Sequence, residues 1–433
     1  MVQEPPLHVV LVDNYLSLMR CGISAISSTL ANGLASRGHT VTVYTEKRFR
    51  CKTVYPLNES VAVRFYRFTD KNLRIQKLRE EIRTLNPDVC VPLFPDSRHL
   101  TWAVTLLGSG VPFVYSERHS PETIENVFWS KKGRLAALSG ADRIHLQLSS
   151  FVASVPDHLQ SRVCVINNPA PSVQGQADPV GGSGRKRLLW LARFQEETKQ
   201  CRVAINAFAS LANKHPDWDL HIAGDGPDKK LVHACAASFP LKGRIVFHGE
   251  SKDVFSHYLA SQLFCISSRT EGMPNTLLEA LACGLPSVGF AKCEGIPDLI
   301  VPGENGLMAE EMTAACLAKN LDILMSDAEA RKRMGDNARK VQQTHSLTAF
   351  MDAWEELLYD AAACKGNTVM DEFSQEPFAS MARLSSMARR EWLWRDFGDP
   401  FPGSFEHGFE YCISKLYALC LKIKLLLLPL GKR

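Results

Sequence analysis

Short β-rich runs alternate with helical patterns along most of this chain, and the alternation occurs twice, on either side of a stretch dense in proline, glycine and serine. The first series has runs at 8–12, 40–44, 61–68, 89–93, 112–115, 143–146 and 163–166, and the second at 188–191, 220–223, 245–247, 263–266 and 287–290. Strands separated by helices pair most simply as parallel crossovers, so each series predicts an α/β, doubly wound parallel sheet. The intervening NPAPSVQGQADPVGGSGRK reads as a linker. At 433 residues the chain has room for two such domains and a tail. The expected division is a first Rossmann-like domain at 1–170, a linker at 171–186, a second Rossmann-like domain at 187–345, a crossing helix at 346–364 and a tail at 365–433. Ligands of open α/β sheets lie beyond the carboxyl ends of the strands, which places the chemistry in the cleft between the two units.

A formal charge of +4 is small for this length and gives no reason to expect a nucleic-acid partner. The thirteen cysteines are scattered without paired spacing, and Cys90, Cys164 and Cys265 fall in apolar runs, a usage expected of a reducing cytoplasm. The start of the chain lacks the basic and apolar regions of a signal peptide. No uncharged apolar stretch reaches the roughly 18 residues of a membrane span.

The densest chemistry lies at 268–308, SRTEGMPNTLLEALACGLPSVGFAKCEGIPDLIVPGENGLM. The apolar run at 263–266 reads as a buried strand, Pro274 with Asn275 or Thr276 as a helix start, and Gly284 as its end. Glu271 then sits in the loop at the strand's carboxyl end and Glu279 about one turn into the helix. Exposed N–H groups and the positive end of the dipole at such a start attract phosphate, and two carboxylates beside them suit sugar hydroxyls. Arg193, just past the run at 188–191, and Lys199, six residues later, are two cations able to clamp a diphosphate.

The 268–308 segment, with its EGMPNTLLEALACGLP run and trailing Asn305-Gly306-Leu307, resembles the Glu, seven residues, Glu signature of the family-4 retaining glycosyltransferases, and the resemblance extends over roughly residues 7–360. It implies a GT-B fold: two Rossmann-like domains facing a cleft, the first on the acceptor side and the second binding a nucleotide sugar. By the same resemblance Glu271 contacts the donor sugar, Glu279 takes the ribose hydroxyls, and Met273, Pro274, Asn275 and Thr276 belong to the donor-binding loop. Arg193 and Lys199 match the cations that neutralise the departing diphosphate, an electrostatic role that otherwise falls to a metal. Ala192 and Gln200 stand where the family has glycines. Gly22 matches one of the paired glycines that open the first helix, and Cys21 replaces the other.

Three further motifs have two readings each. Ser116-Glu117-Arg118 resembles a segment of bacterial members that build exopolysaccharides and O-antigens, and places Glu117, Arg118 and His119 toward the cleft. His119 is then a donor-sugar ligand or a structural histidine. His248 and Gly249 close a strand where the family's base-binding backbone lies, with His248 a ligand contact or a plain structural residue. Asp217-Trp218-Asp219 has the form of a metal motif, but it precedes a buried strand and so belongs at the end of the sheet away from the cleft.

The resemblance implies a retaining transfer of a sugar from a nucleoside diphosphate sugar to a hydroxyl of a growing polysaccharide or lipid-linked glycan, with no metal and no cofactor. A GT-B nucleotide-sugar epimerase and a catalytically silent nucleotide-sugar-binding scaffold are the alternatives. The tail segment YCISKLYALCLKIKLLLLPLGKR has five basic residues and no acid after Glu410. Basic apolar helices lie in anionic membrane surfaces or pack on protein with snorkelling lysines. The first reading places the protein at the inner face of the cell membrane.

Overall fold

The computed structural model describes residues 4–17, 21–46, 52–66, 71–93, 102–103, 105–106, 109–125, 131–182 and 184–368. The basic apolar segment of the tail lies outside the described residues. The first domain runs β1 (His8–Val12), α1 (Gly22–Ser36), β2 (Thr40–Glu46), β3 (Ala62–Tyr66), α2 (Lys71–Leu85), β4 (Val89–Pro92), β5 (Val114–Ser116), α3 (Pro121–Thr123), α4 (Lys131–Ser139), β6 (Arg143–Leu146) and β7 (Val163–Val165). The second runs β8 (Lys186–Leu191), α5 (Cys201–Leu211), β9 (Trp218–Ala223), α6 (Lys229–Ala237), β10 (Ile245–Gly249), α7 (Val254–Leu259), β11 (Leu263–Cys265), α8 (Asn275–Ala282), β12 (Ser287–Phe290), β13 (Gly306–Ala309), α9 (Ala314–Ser326), α10 (Ala328–Ala338) and α11 (Val341–Thr344). The helix α12 (Leu347–Ala362) follows.

The strands pair in parallel throughout. The first-domain order is β3-β2-β1-β4, carried on by a Cys90–Phe113 bridge to β5-β6-β7. The second is β10-β9-β8-β11-β12-β13. Both are doubly wound, with the order reversing beside β1 and beside β8, and it is there that a crevice opens in such sheets. Helices cover both faces, so the central strands bury both of theirs and read as unbroken apolar runs such as VVLV and LFC. The strand β13 was not expected from the sequence. It is a four-residue edge strand with only its end residues buried, too short and too open for a periodic signal.

Side-chain caps fix where the last helices start: Thr313 accepts from the Cys316 N–H, Asp327 from Ala330 and Ser346 from Ala349. The helix α12 leaves the second sheet and packs on the first. Its Phe350, Met351, Trp354, Leu357 and Leu358 are buried in one cluster with Val9 and Leu11 of β1, Val41 and Val43 of β2, and Leu30 and Leu34 of α1. Arg37 pairs with Glu355 and Arg143 with Asp360 along the same seam.

The Asp217-Trp218-Asp219 motif is spent on structure at the end of β9 away from the cleft. Lys186 holds Asp217, while Arg185 and Arg244 hold Asp219. At the other end of β9, Gly224 turns the chain with φ at +143°, and a Cβ there would stand 1.9 Å from the Ala192 carbonyl oxygen. Gly224→Ala should therefore destabilise the chain by roughly 2–4 kcal/mol, combining backbone strain with a clash that cannot relax into a side chain. Gly38 has φ of +95° with nothing within 4 Å of such a Cβ, and Gly38→Ala should cost only about 1 kcal/mol. Urea melts of the two variants read the difference, and equal shifts in midpoint would contradict the proposed close approach.

Candidate active site

The strands β8 and β11 are neighbours, and the loops that leave their carboxyl ends are stitched together. The Trp190 indole N–H donates to Ser267 Oγ at 2.9 Å, the Ser267 hydroxyl reaches the Lys199 and Gln200 carbonyls at 3.0 and 2.9 Å, and the Arg269 N–H donates to the Thr198 carbonyl at 2.7 Å. This lacing sets Lys199 opposite Glu271, with Nζ 2.6 Å from Oε1. The Lys199 side chain is 26% exposed and that of Glu271 9%, so the pair is largely withdrawn from solvent. Arg193, on the same loop, is exposed. Gln200 takes a left-handed conformation with φ of +50°, the geometry a glycine would adopt without strain. The departure noted in the sequence therefore keeps a turn that a glycine could adopt and adds a side chain to it.

The helix α8 starts at Asn275, with Pro274 as its N-cap and Thr276 in its first turn. Glu279, one turn in, is partly exposed, and its Oε2 accepts the Tyr258 hydroxyl at 2.9 Å. Burial pushes its carboxyl up to about 7, with the tyrosine bond opposing. Gly249 ends β10 with φ of +69° and open space at its Cα. His248 beside it is turned to His221, ring nitrogen to ring nitrogen at 2.9 Å, and stacks on it.

The first domain closes over the 270–275 loop. Thr270 bonds Ser120 at 3.0 Å and Thr123 at 2.7 Å, both through side-chain hydroxyls. Asn168 donates its backbone N–H to Met273 Sδ and its side-chain amide to Asn275 Oδ1, and accepts from Gln147. Gly22, first residue of α1, lies against Asn275, whose amide nitrogen would be 2.8 Å from a Cβ at that position. His119 is half-buried, within electrostatic reach of Glu271 and Lys199. Burial pushes its imidazole down to about 4, with Lys199 adding to the shift and Glu271 opposing it, so the ring is neutral near pH 7.

The structure thus brings together Lys199, Glu271, His119, Met273, Asn275 and Gly22, while Arg193, Glu279 and Gly249 stand further along the same strand ends. Glu117 does not face the cleft. It is fully buried, accepting two bonds from Arg134 at 2.7 and 3.0 Å and one from Tyr115 at 2.8 Å, a charge held inside by a bidentate partner. Arg118 also turns inward, lying over the Trp354 ring at 5.5 Å and near Asn168 at 3.4 Å. Its buried guanidinium is pushed down to about 9, with Asp13 opposing. The reading missed Asn168, Gln147, Thr270, Ser267 and Tyr258. Among these only the Asn167-Asn168-Pro169 turn carries a local signal. Among the described residues no cluster of His, Cys, Asp and Glu could hold a metal ion, and no helix is long and apolar enough to cross a membrane.

Residues 178–341 match the family model of the glycosyl transferases group 1. A Haemophilus influenzae protein described as an uncharacterized glycosyltransferase is 23% identical over 347 residues, covering 78% of this chain and 96% of its own. A Campylobacter jejuni α-1,4-N-acetyl-D-galactosaminyltransferase, whose name specifies a glycan on diphosphoundecaprenol, is 23% identical over 327 residues, with 73% and 84% covered. Among solved structures, Anabaena HepE in complex with UDP and glucose superposes with a TM-score of 0.65 at 16% identity, over 82% of this chain and 99% of that one. The lipopolysaccharide outer core galactosyltransferase WaaB does so with a TM-score of 0.65 at 15% identity, over 81% and 99%. The match to the group 1 glycosyl transferases thus falls on residues 178–341, the relatives that span most of the chain are glycosyltransferases, and the chain has the GT-B fold.

Proposed function

We propose that the enzyme transfers a sugar, with retention of anomeric configuration and without a metal, from a nucleoside diphosphate sugar to a hydroxyl of a growing polysaccharide or lipid-linked glycan. The observation that carries this reading is the Lys199–Glu271 pair, largely withdrawn from solvent at the strand ends, with a neutral His119 beside it and Glu279 further along. In this reading the diphosphate draws Lys199 away from Glu271, and Arg193 meets it from the same loop. Glu271, freed, turns to the donor sugar, and Glu279 takes the ribose diol. The bond from C1 to the diphosphate oxygen breaks with its electron pair leaving on that oxygen. The acceptor hydroxyl adds to C1 on the same face, and its proton passes to the departing diphosphate. No side chain is called on as a nucleophile, and stabilising the leaving group dominates. His119, neutral, is suited to a hydrogen bond with a sugar hydroxyl rather than to acid catalysis.

The nucleotide-sugar donor is supported by the UDP and UDP-glucose bound to HepE, and the glycan acceptor by the names of the relatives. The relatives are transferases, and the epimerase and silent-scaffold readings are not favoured. The place we assign it is the cytoplasmic face of the membrane, on the strength of the tail's basic apolar sequence.

Lys199→Ala should lower kcat by roughly 100-fold, the usual effect of removing one preorganised electrostatic donor. Rates are measured against a panel of nucleoside diphosphate sugars, with the acceptor's new glycosidic bond as readout. A near-wild-type rate would exclude the role, and full, magnesium-reversible loss of activity in EDTA would exclude the metal-free reading.

For the tail, deletion of 412–433 should release the enzyme from anionic vesicles and leave nucleoside diphosphate binding intact, each basic residue near the surface contributing about 1 kcal/mol. Co-sedimentation at low and high salt measures it. A truncated chain that pellets like the full one, or a full chain that never pellets, would refute membrane contact.

A further inference from the structure

Tyr258 lies on α7 with no exposed surface, its ring packed edge-on to Phe264 at 5.7 Å and near Phe255 at 6.2 Å. Those contacts leave the ring one orientation and aim its hydroxyl at Oε2 of Glu279. Among the described residues no other side chain is bonded to that carboxyl. We infer that Tyr258 is a positioning residue for nucleotide recognition: by occupying one oxygen of Glu279 it fixes which edge of the carboxyl meets the ribose diol, and so sets the preference for ribonucleotides over 2′-deoxynucleotides. The inference rests on the assignment of Glu279 to ribose.

A carboxyl held on a helix without a partner can rotate, and each rotamer would present a different oxygen to the sugar. Tyr258 removes that freedom before the ligand arrives, which is where preorganisation gains affinity. It also acts on charge. A diol donates two hydrogen bonds, which an ionised carboxylate accepts and a protonated carboxyl only partly does. Burial favours the protonated form of Glu279, and the tyrosine bond opposes it. The neighbours supply little else. At the end of the same helix, Cys283 is kept protonated by burial. From the end of α10, Arg339 acts on Cys283, and from α11, Gln342 is turned to the Ala282 carbonyl. The facing strand β12, SVGF, carries no titratable group. Removing the tyrosine hydroxyl therefore raises the pH at which Glu279 ionises, while the ring of Phe preserves the packing.

The test measures the dissociation constants of UDP and 2′-deoxy-UDP, and of GDP and 2′-deoxy-GDP, by calorimetry on the full chain from pH 6 to 9, taking the pair that binds more tightly. In the wild type the ratio favouring the ribonucleotide should rise through about pH 7. In Tyr258→Phe it should fall three- to tenfold at pH 7 and recover in part toward pH 9, with 2′-deoxynucleotide binding little changed. Glu279→Gln should lose the preference at every pH. If Glu279→Gln keeps the preference, the ribose assignment fails and the inference with it. If Glu279→Gln loses it but Tyr258→Phe keeps it, or weakens both nucleotides in proportion, the tyrosine is only packing and the inference alone is overturned. A wild-type ratio flat from pH 6 to 9 would overturn it without any variant.

Discussion

The Lys199–Glu271 pair is the interaction on which the rest of the site depends. It joins the loops that leave the neighbouring strands β8 and β11, and each charge is tolerable there because the other is 2.6 Å away. Taking either partner away leaves a desolvated charge, a situation that costs far more than the pair contributes. A ligand that replaces one partner with a stronger one escapes that cost. In the proposed function a diphosphate would do so for Lys199 and sugar hydroxyls for Glu271, so a donor that brings both would open the pair.

The lacing around the pair explains why its geometry can be trusted to recur. Trp190, buried in the sheet, holds Ser267, and Ser267 holds the backbone of Lys199 and Gln200. From the other side, Asn168 and the Ser120–Thr123–Thr270 hydroxyls join the first domain to the same loop. Burial keeps the neighbouring His119 unprotonated near pH 7 and raises the carboxyl of Glu279, further along, to about 7. Charge is thereby concentrated on Lys199, Glu271 and the exposed Arg193, where a diphosphate would act on it.

Much of this was legible beforehand, and the exceptions share a cause. Central strands such as β1 and β12 are buried on both faces and announce themselves as apolar runs, whereas β13, an edge strand of four residues, does not. Lys199, Glu271 and Glu279 were singled out from the sequence because their spacing along the chain is itself the signal. Glu117 was misread as facing the cleft because its position after β5 allows either direction. Arg134, which draws it inward, is 17 residues further along the chain. Tyr258 and Asn168 escaped notice for the same reason, their partners being 21 and more than 100 residues distant. Gln200 shows the converse. The backbone keeps a glycine-like turn that composition alone would have ruled against.

The most direct test of the account is a crystal structure of the full chain with a tightly bound nucleoside diphosphate, solved beside the unliganded protein. The account predicts that Lys199 Nζ lies within hydrogen-bond distance of a phosphate oxygen in the complex and that Glu271 no longer pairs with it. A diphosphate bound elsewhere, with the Lys199–Glu271 bond still closed, would contradict it.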